Sequence, residues 1–180
     1  MNDTPRSIAY TPLNDIKEAL HNPKTHDAAV MHSSVSAFGF VDPVIVDDRT
    51  GMLVSGHGRM EHLRASHANG EAPPEGIMVA DDGSWLVPVV RGWASMDDHH
   101  AEAALIALNQ VGARGGWDVD SLVDRLAVLD ETNPAWMEAT GFSADDLADM
   151  VSQTNIVLDD ETAHVRPCAP ARHPARTHGI

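Results

Sequence analysis

Cysteine is nearly absent: the 180-residue chain has one, Cys168. That excludes an intramolecular disulfide framework and a cysteine-rich zinc site. Aromatic residues are scarce, at 4%, so a core has to be assembled from Val, Leu, Ile, Ala and Met. Positive charge is short as well. Twelve Lys and Arg stand against 27 Asp and Glu, for a formal net charge of -15. A chain this acidic is repelled by a nucleic-acid backbone unless it concentrates cations locally. Most of the surplus acid falls between Asp118 and Glu161, which leaves the front half closer to balance. No apolar run is long enough to span a bilayer, and the amino end lacks the apolar stretch of a signal peptide. The expected setting is a reducing cytoplasm, with no membrane contact.

The length suits one domain with a short appendage. Residues Met1 to Tyr10 are polar and read as loose. Leu13, Ile16 and Leu20 have the spacing of a short helix, and Asn22-Pro23 is a turn. A helix is predicted from Ala28 to Phe38 behind Asp27, closed by Gly39. Val44-Ile45-Val46 reads as a strand, Asp47 to Gly51 as a hairpin turn, and Met52-Leu53-Val54 as the return strand. A helix from Arg59 to Ala68 follows a glycine turn, and Asn69-Gly70 with Pro73-Pro74 marks a loop. Ile77 to Val79 and Trp85 to Val90 flank Asp81-Asp82-Gly83 as a hairpin. Asp97-Asp98 opens a helix through Asn109, with Ala104, Leu105 and Leu108 on one stripe. Beyond the flexible Gly112 to Gly116 come a helix from Val119 to Leu129 and a break at Asn133-Pro134. A last helix runs from the N-cap Ser143 to about Ser152. Trp93, Trp117 and Trp136 read as packing anchors for these C-terminal helices. Residues 163–180, rich in Pro, Ala and Arg, read as disordered, with Arg166, Arg172 and Arg176 as a sparse basic tail.

The chemistry-bearing stretch is Val54-Ser55-Gly56-His57-Gly58-Arg59. A strand, a glycine turn and a helix start place unpaired backbone N–H groups and a partial positive charge at the bend. Gly56 and Gly58 allow a close backbone approach to a ligand. Arg59 adds a forked, permanently charged donor for a phosphate oxygen. The spacing is neither a P-loop nor a full dinucleotide fingerprint. His57 reads either as a polarising or acid–base group or as a water-exposed turn residue. His62, five residues on, does not share a helical face with it, which disfavours a zinc pair.

The order of these pieces is similar to the ParB/sulfiredoxin fold, specifically the ParB-like N-terminal domain, over about residues 13–112. Ser34-Val35-Ser36-Ala37-Phe38-Gly39-Phe40-Val41-Asp42-Pro43-Val44-Ile45-Val46 resembles the family's Ser-Ile-x-x-x-Gly-x-x-x-Pro-Ile-x-Val stretch. Gly56-His57-Gly58-Arg59 stands where partition proteins carry Gly-Glu-Arg-Arg. Val87 to Val90 matches the following strand, and Ala104 to Gln110 the helix whose Asn closes a Glu-Asn pair. The Gly-His-Gly-Arg variant with a trailing Gly-Trp-Asp most resembles domains found in phages and beside DNA methyltransferases. The resemblance implies an α/β (α+β) fold, a small mixed sheet flanked by helices, with a helical C-terminal appendage. It implies a nucleotide pocket, CTP in the partition proteins. Gly39, Phe40, Asp42 and Pro43 would lie on the base and ribose side, Gly56, His57, Gly58 and Arg59 would hold phosphates, and Asn109 would sit near the phosphates or a metal.

The departures carry their own expectations. Gly58 replaces the motif's first Arg and His57 its Glu, so one fixed cation is lost unless His57 is protonated. Leu108 replaces the acid before Asn109, which removes a Mg²⁺ ligand and argues against hydrolysis. Asp42 replaces a polar neutral residue and leaves the preferred base open. His57 stands where sulfiredoxins place cysteine, which excludes their chemistry. No helix-turn-helix DNA reader is evident in the acidic helices, which read as a solvated face or as a dock for a basic partner.

These readings divide the chain into a nucleotide-binding domain, residues 11–112, an acidic helical appendage, 117–153, and a tail, 154–180. The expected function is a ParB-like protein in a DNA-related process (partition, regulation or modification, in a phage or mobile element). It would bind a nucleoside triphosphate, CTP or ATP. Its expected partners are the nucleotide, DNA or a DNA-processing protein, and a second copy of the chain. Asn109 has an equal claim as a helix C-cap. One alternative is a metal-dependent nuclease or phosphotransferase, with His57 and Glu102 as the candidate catalytic groups and Glu61 and Glu102 as the candidates for a metal-binding carboxylate pair near Arg59. Another is a pure protein-interaction module.

Overall fold

The computed structural model describes residues 4–154. The expectations for Met1 to Asp3 and for the tail, with Cys168 and its arginines, lie outside the described residues.

The front half is a mixed sheet under two helices. Strand β1 (Ser7–Pro12) leads into a single 3-10 turn, Leu13–Asp15. Helix α1 (Ala28–Phe38), β2 (Val44–Val46), β3 (Leu53–Ser55) and α2 (His57–Ala68) follow, then β4 (Met78–Val79) and β5 (Trp85–Arg91). The sheet order is β1-β5-β2-β3, with β4 also on β5. β5 is antiparallel to β1 and β4 and parallel to β2. On one side β5 pairs with β4 through Trp85 and Leu86 and with β2 through Val89 and Val90. Pro88, which has no N–H to give a ladder, falls in the gap between those two partners.

Two sequence readings are corrected here. Residues 7–10 are not loose. They pair along β5, with Ser7 opposite Arg91 and Pro12 opposite Leu86. Nothing in Ser-Ile-Ala-Tyr-Thr-Pro alternates strongly; the strand exists because β5 offers an edge. The helix expected across Leu13 to Leu20 stops after one turn. Leu13 and Ile16 enter the core while Leu20 stays 78% exposed.

The core is aliphatic, as the composition demands. It joins Leu13, Ile16, Phe40, Val44, Val46, Leu53, Met60, Leu63, Ile77, Trp85, Val87 and Val89. The helix ends are set locally. Asp27 accepts the N–H groups of Ala29 and Val30 (2.9 and 3.1 Å). Gly39, at φ +76°, returns its N–H to Val35 (2.9 Å).

The back half is helical: α3 (Asp98–Arg114), α4 (Val119–Thr132), α5 (Pro134–Ala139) and α6 (Ala144–Thr154). Helix α3 continues through Gly112 to Arg114, so Asn109 is an interior residue and not a C-cap. The expected cap at α6 is present in reciprocal form. The Asp146 N–H donates to Ser143 Oγ (3.1 Å), and the Ser143 N–H donates to Asp146 Oδ2 (2.8 Å). Helix α5 packs on α1 and α4, and buries Val123, Leu126, Met137 and Ala139. The tryptophans do not anchor this unit: Trp117 is 70% exposed, edge-on to Phe142, and Trp136 is half exposed.

A buried carboxylate ties the halves together. Asp47, fully buried, accepts from the N–H groups of Arg49 and Ser95 and from the hydroxyls of Thr50 and Ser95 (2.7–3.0 Å). Arg49 reaches on to Ser95 Oγ (2.7 Å) and Asp98 (2.6 Å). The β2–β3 turn therefore fixes the start of α3.

Candidate anion-binding site

The bend between β3 and α2 is built by two glycines with different jobs. Gly56 is the N-cap of α2 at φ +100°, a conformation that favours glycine, and a Cβ there would lie 2.5 Å from Val44 Cγ1. Gly58 has ordinary helical geometry, but a Cβ on it would come within 2.8 Å of the His26 ring. Among the described residues no side chain caps this helix start. The first-turn N–H groups, which a helix cannot satisfy internally, face outward with the positive end of the helix dipole.

Three side chains surround that end. His57 is 4% exposed, and its Nε2 has no hydrogen-bond partner among the described residues. Its nearest acid is Glu18, 3.9 Å away, which is engaged by Arg64; Arg64 also donates to the Ile16 carbonyl (2.7 Å). Burial, with His26 adding to it, holds the His57 imidazole below its usual pKa, so the unliganded ring is neutral at pH 7. The water-exposed reading of His57 is corrected by this burial.

Arg59 is 22% exposed and pairs through Nη1 with Asp42 Oδ2 (2.7 Å), while its Nε is buried without a partner. His26, in the segment before α1, likewise keeps a buried, unpartnered Nε2. An unmade hydrogen bond on a buried polar group costs about 1–3 kcal/mol. Three such nitrogens around one cationic helix end suit an oxyanion with several acceptor oxygens.

Gly56, His57, Gly58 and Arg59 follow one another through the bend; the structure brings His26 onto Gly58, and Asp42, expected on the base and ribose side, onto Arg59. His26 carries no sequence signal, because its place is set by α1 packing across α2. Asp42 sits on Arg59, in the loop that also holds Gly39 and Pro43. Phe40 places its ring in the core and its N–H on the Glu75 carbonyl (2.7 Å). Asn109 turns its Nδ2 back to the Leu105 carbonyl (2.9 Å). Glu102 lies elsewhere, on a groove with Leu20, Met52 and Leu105, and Glu61 is exposed. The carboxylate beside Arg59 is Asp42, not either of those two.

Beyond the bend, between α1 and α2, is a polar cavity of about 320 Å³ that sequence reading missed. His32, His62, Ser66 and Glu71 are among its lining residues. His62 meets His32 edge-on (ring centroids 5.4 Å apart) and is held below its usual pKa by burial and by His32, with Glu71 opposing. No group of three or more His, Cys, Asp or Glu placed to hold a metal ion occurs among the described residues.

No family model matches the chain. The ParB-like nuclease domain-containing protein YnaK of Escherichia coli (strain K12) is 36% identical over 56 residues, 29% of this chain and 63% of that protein. The chain thus spans less than two thirds of that relative's length. The fold is that of the C-terminally truncated chromosome-partitioning protein ParB from Caulobacter crescentus, solved with CTP-gamma-S. The TM-score is 0.52 at 18% identity, over 84% of this chain and 80% of that one. These define a ParB N-domain type of α/β protein, the small mixed sheet flanked by helices that the resemblance implied. The chain is thus similar to ParB-like proteins in fold and, over 56 residues, in sequence.

Proposed function

We propose that the chain binds a nucleoside triphosphate with its phosphates at the start of α2, in a DNA-related process of a phage or mobile element. One observation carries this reading. His26 Nε2, His57 Nε2 and Arg59 Nε are buried and unpartnered around an uncapped helix start. Phosphate oxygens supply the acceptors these groups lack, and the helix end and Arg59 supply the charge. The Caulobacter neighbour, a partitioning protein complexed with a CTP analogue, supports a nucleotide as the ligand class and CTP as the first one to test. Arg59 grips a phosphate in place of Asp42, which the ligand displaces, while Gly39 and Pro43 face the base and ribose. Mg²⁺ has no matching donor set: Leu108 is apolar and the Asn109 amide is spent on its own helix. Binding without rapid hydrolysis is the expected behaviour.

A thermal-shift screen of CTP, ATP, GTP and UTP, with and without Mg²⁺, tests the reading. Ligand at about 100-fold over Kd stabilises the folded state by about 2.7 kcal/mol. CTP or ATP is expected to raise the midpoint of the native chain by several degrees and to leave Arg59→Ala unmoved. Equal shifts in both proteins, or none with any nucleotide, would count against it.

A further inference from the structure

The close approach of His26 to Gly58 points to more than tight packing. Its ring lies where a side chain at position 58 would begin: Cγ and Nδ1 are 2.8 and 2.9 Å from the ideal Cβ position. Gly58 thus makes room for an imidazole brought in from another element. That imidazole keeps its Nε2 buried and unpartnered, against the residue that precedes Arg59 and close enough to His57 to bias its charge. Resting on the phosphate reading of the bend, we propose that His26 is a phosphate-binding residue and that the His26–His57 pair gains a proton when the ligand binds. A fixed cation at position 58 is thereby replaced by a switchable one, and acidification tightens nucleotide binding.

The surrounding charges permit this. Glu18 is the acid nearest His57 and is already shared with Arg64. Asp42 is committed to Arg59, and Asp27, beside His26, caps α1. Without ligand, two cationic imidazoles here would face Arg59 and the helix dipole with little compensation. A bound polyphosphate brings several negative charges and reverses that balance.

Calorimetric titration with CTP, ATP and inorganic triphosphate, at about pH 6 and about pH 8, decides the point. One proton taken up per ligand changes Kd by at most about tenfold per pH unit. The native chain is expected to bind at least about fivefold tighter at the lower pH, with heats that vary with the buffer's ionisation enthalpy. The His26→Gln variant, of similar shape but unable to titrate, is expected to lose most of that ratio. The ligand's own titration is common to both proteins and cancels. In His26→Ala/Gly58→Arg the guanidinium enters the vacated space, and binding is expected to persist with a flattened pH profile. A native profile retained in His26→Gln overturns the proposal, as does a native chain that binds with no pH dependence; either leaves the proposed function standing. No binding of any of the three ligands at either pH removes both.

Discussion

At the scale of single groups, Asp42 competes with the proposed ligand for Arg59. The carboxylate holds the guanidinium in the geometry that a phosphate oxygen would take, so ligand has to displace it. Asp42 is 67% exposed, and an ion pair so open to water is worth about 0.2–1 kcal/mol. Asp42→Asn is therefore expected to tighten triphosphate binding by about two- to fivefold in calorimetry. Weaker binding would mean that Asp42 contacts the ligand instead of blocking it. Asp47 acts on stability instead. Burial alone would raise its pKa from the usual 3.8, but the hydrogen bonds from Ser95, Arg49 and Thr50 outweigh burial and lower it. A carboxylate with a lowered folded-state pKa stabilises above its unfolded pKa and loses that contribution as pH falls through the folded one. Asp47→Asn is expected to cost about 1–3 kcal/mol in urea unfolding at neutral pH. The gap from the native chain should close below about pH 4. A gap that is constant with pH would contradict the charged role.

At the scale of elements, glycine at a positive φ decides where α2 begins. In Gly56→Ala the Cβ meets Val44 Cγ1 at 2.5 Å and the backbone is held in a left-handed conformation. Strain of this kind costs about 1–3 kcal/mol. Gly56→Ala is expected to lower the melting temperature and to weaken triphosphate binding together. Gly51→Ala, which has a positive φ but open space around it, should lower the melting temperature alone. Loss of binding in both variants would remove the geometric argument. Much of this level was legible in the chain. Asp27 and Gly39 bracket α1, Pro43 precedes β2, and the glycine bend starts α2 within two residues of its expected position, because caps and turns are written in adjacent residues. What escaped was set by distant partners: β1 exists through β5, His26 stands on Gly58 through α1 packing, and Asp47 reads as a turn residue until Ser95 folds over it. Asn109 reads as a possible cap because the glycines at 112, 115 and 116 suggest an early end, yet α3 runs through the first of them.

For the whole molecule, a chain of net charge -15 has to create a local exception to hold an anion. In the proposed reading it does so at the start of α2, while the acidic helices contact α1 through α5. Among the described residues no helix is long and apolar enough to cross a membrane. The central claim is the location of that exception, and amide chemical-shift mapping of the ¹⁵N-labelled chain during titration with CTP reads it directly. The account predicts the largest saturable shifts at His57, Gly58 and Arg59, with His26 following. Shifts centred instead on His32, His62 and Glu71, or confined to α3 around Glu102, would contradict it.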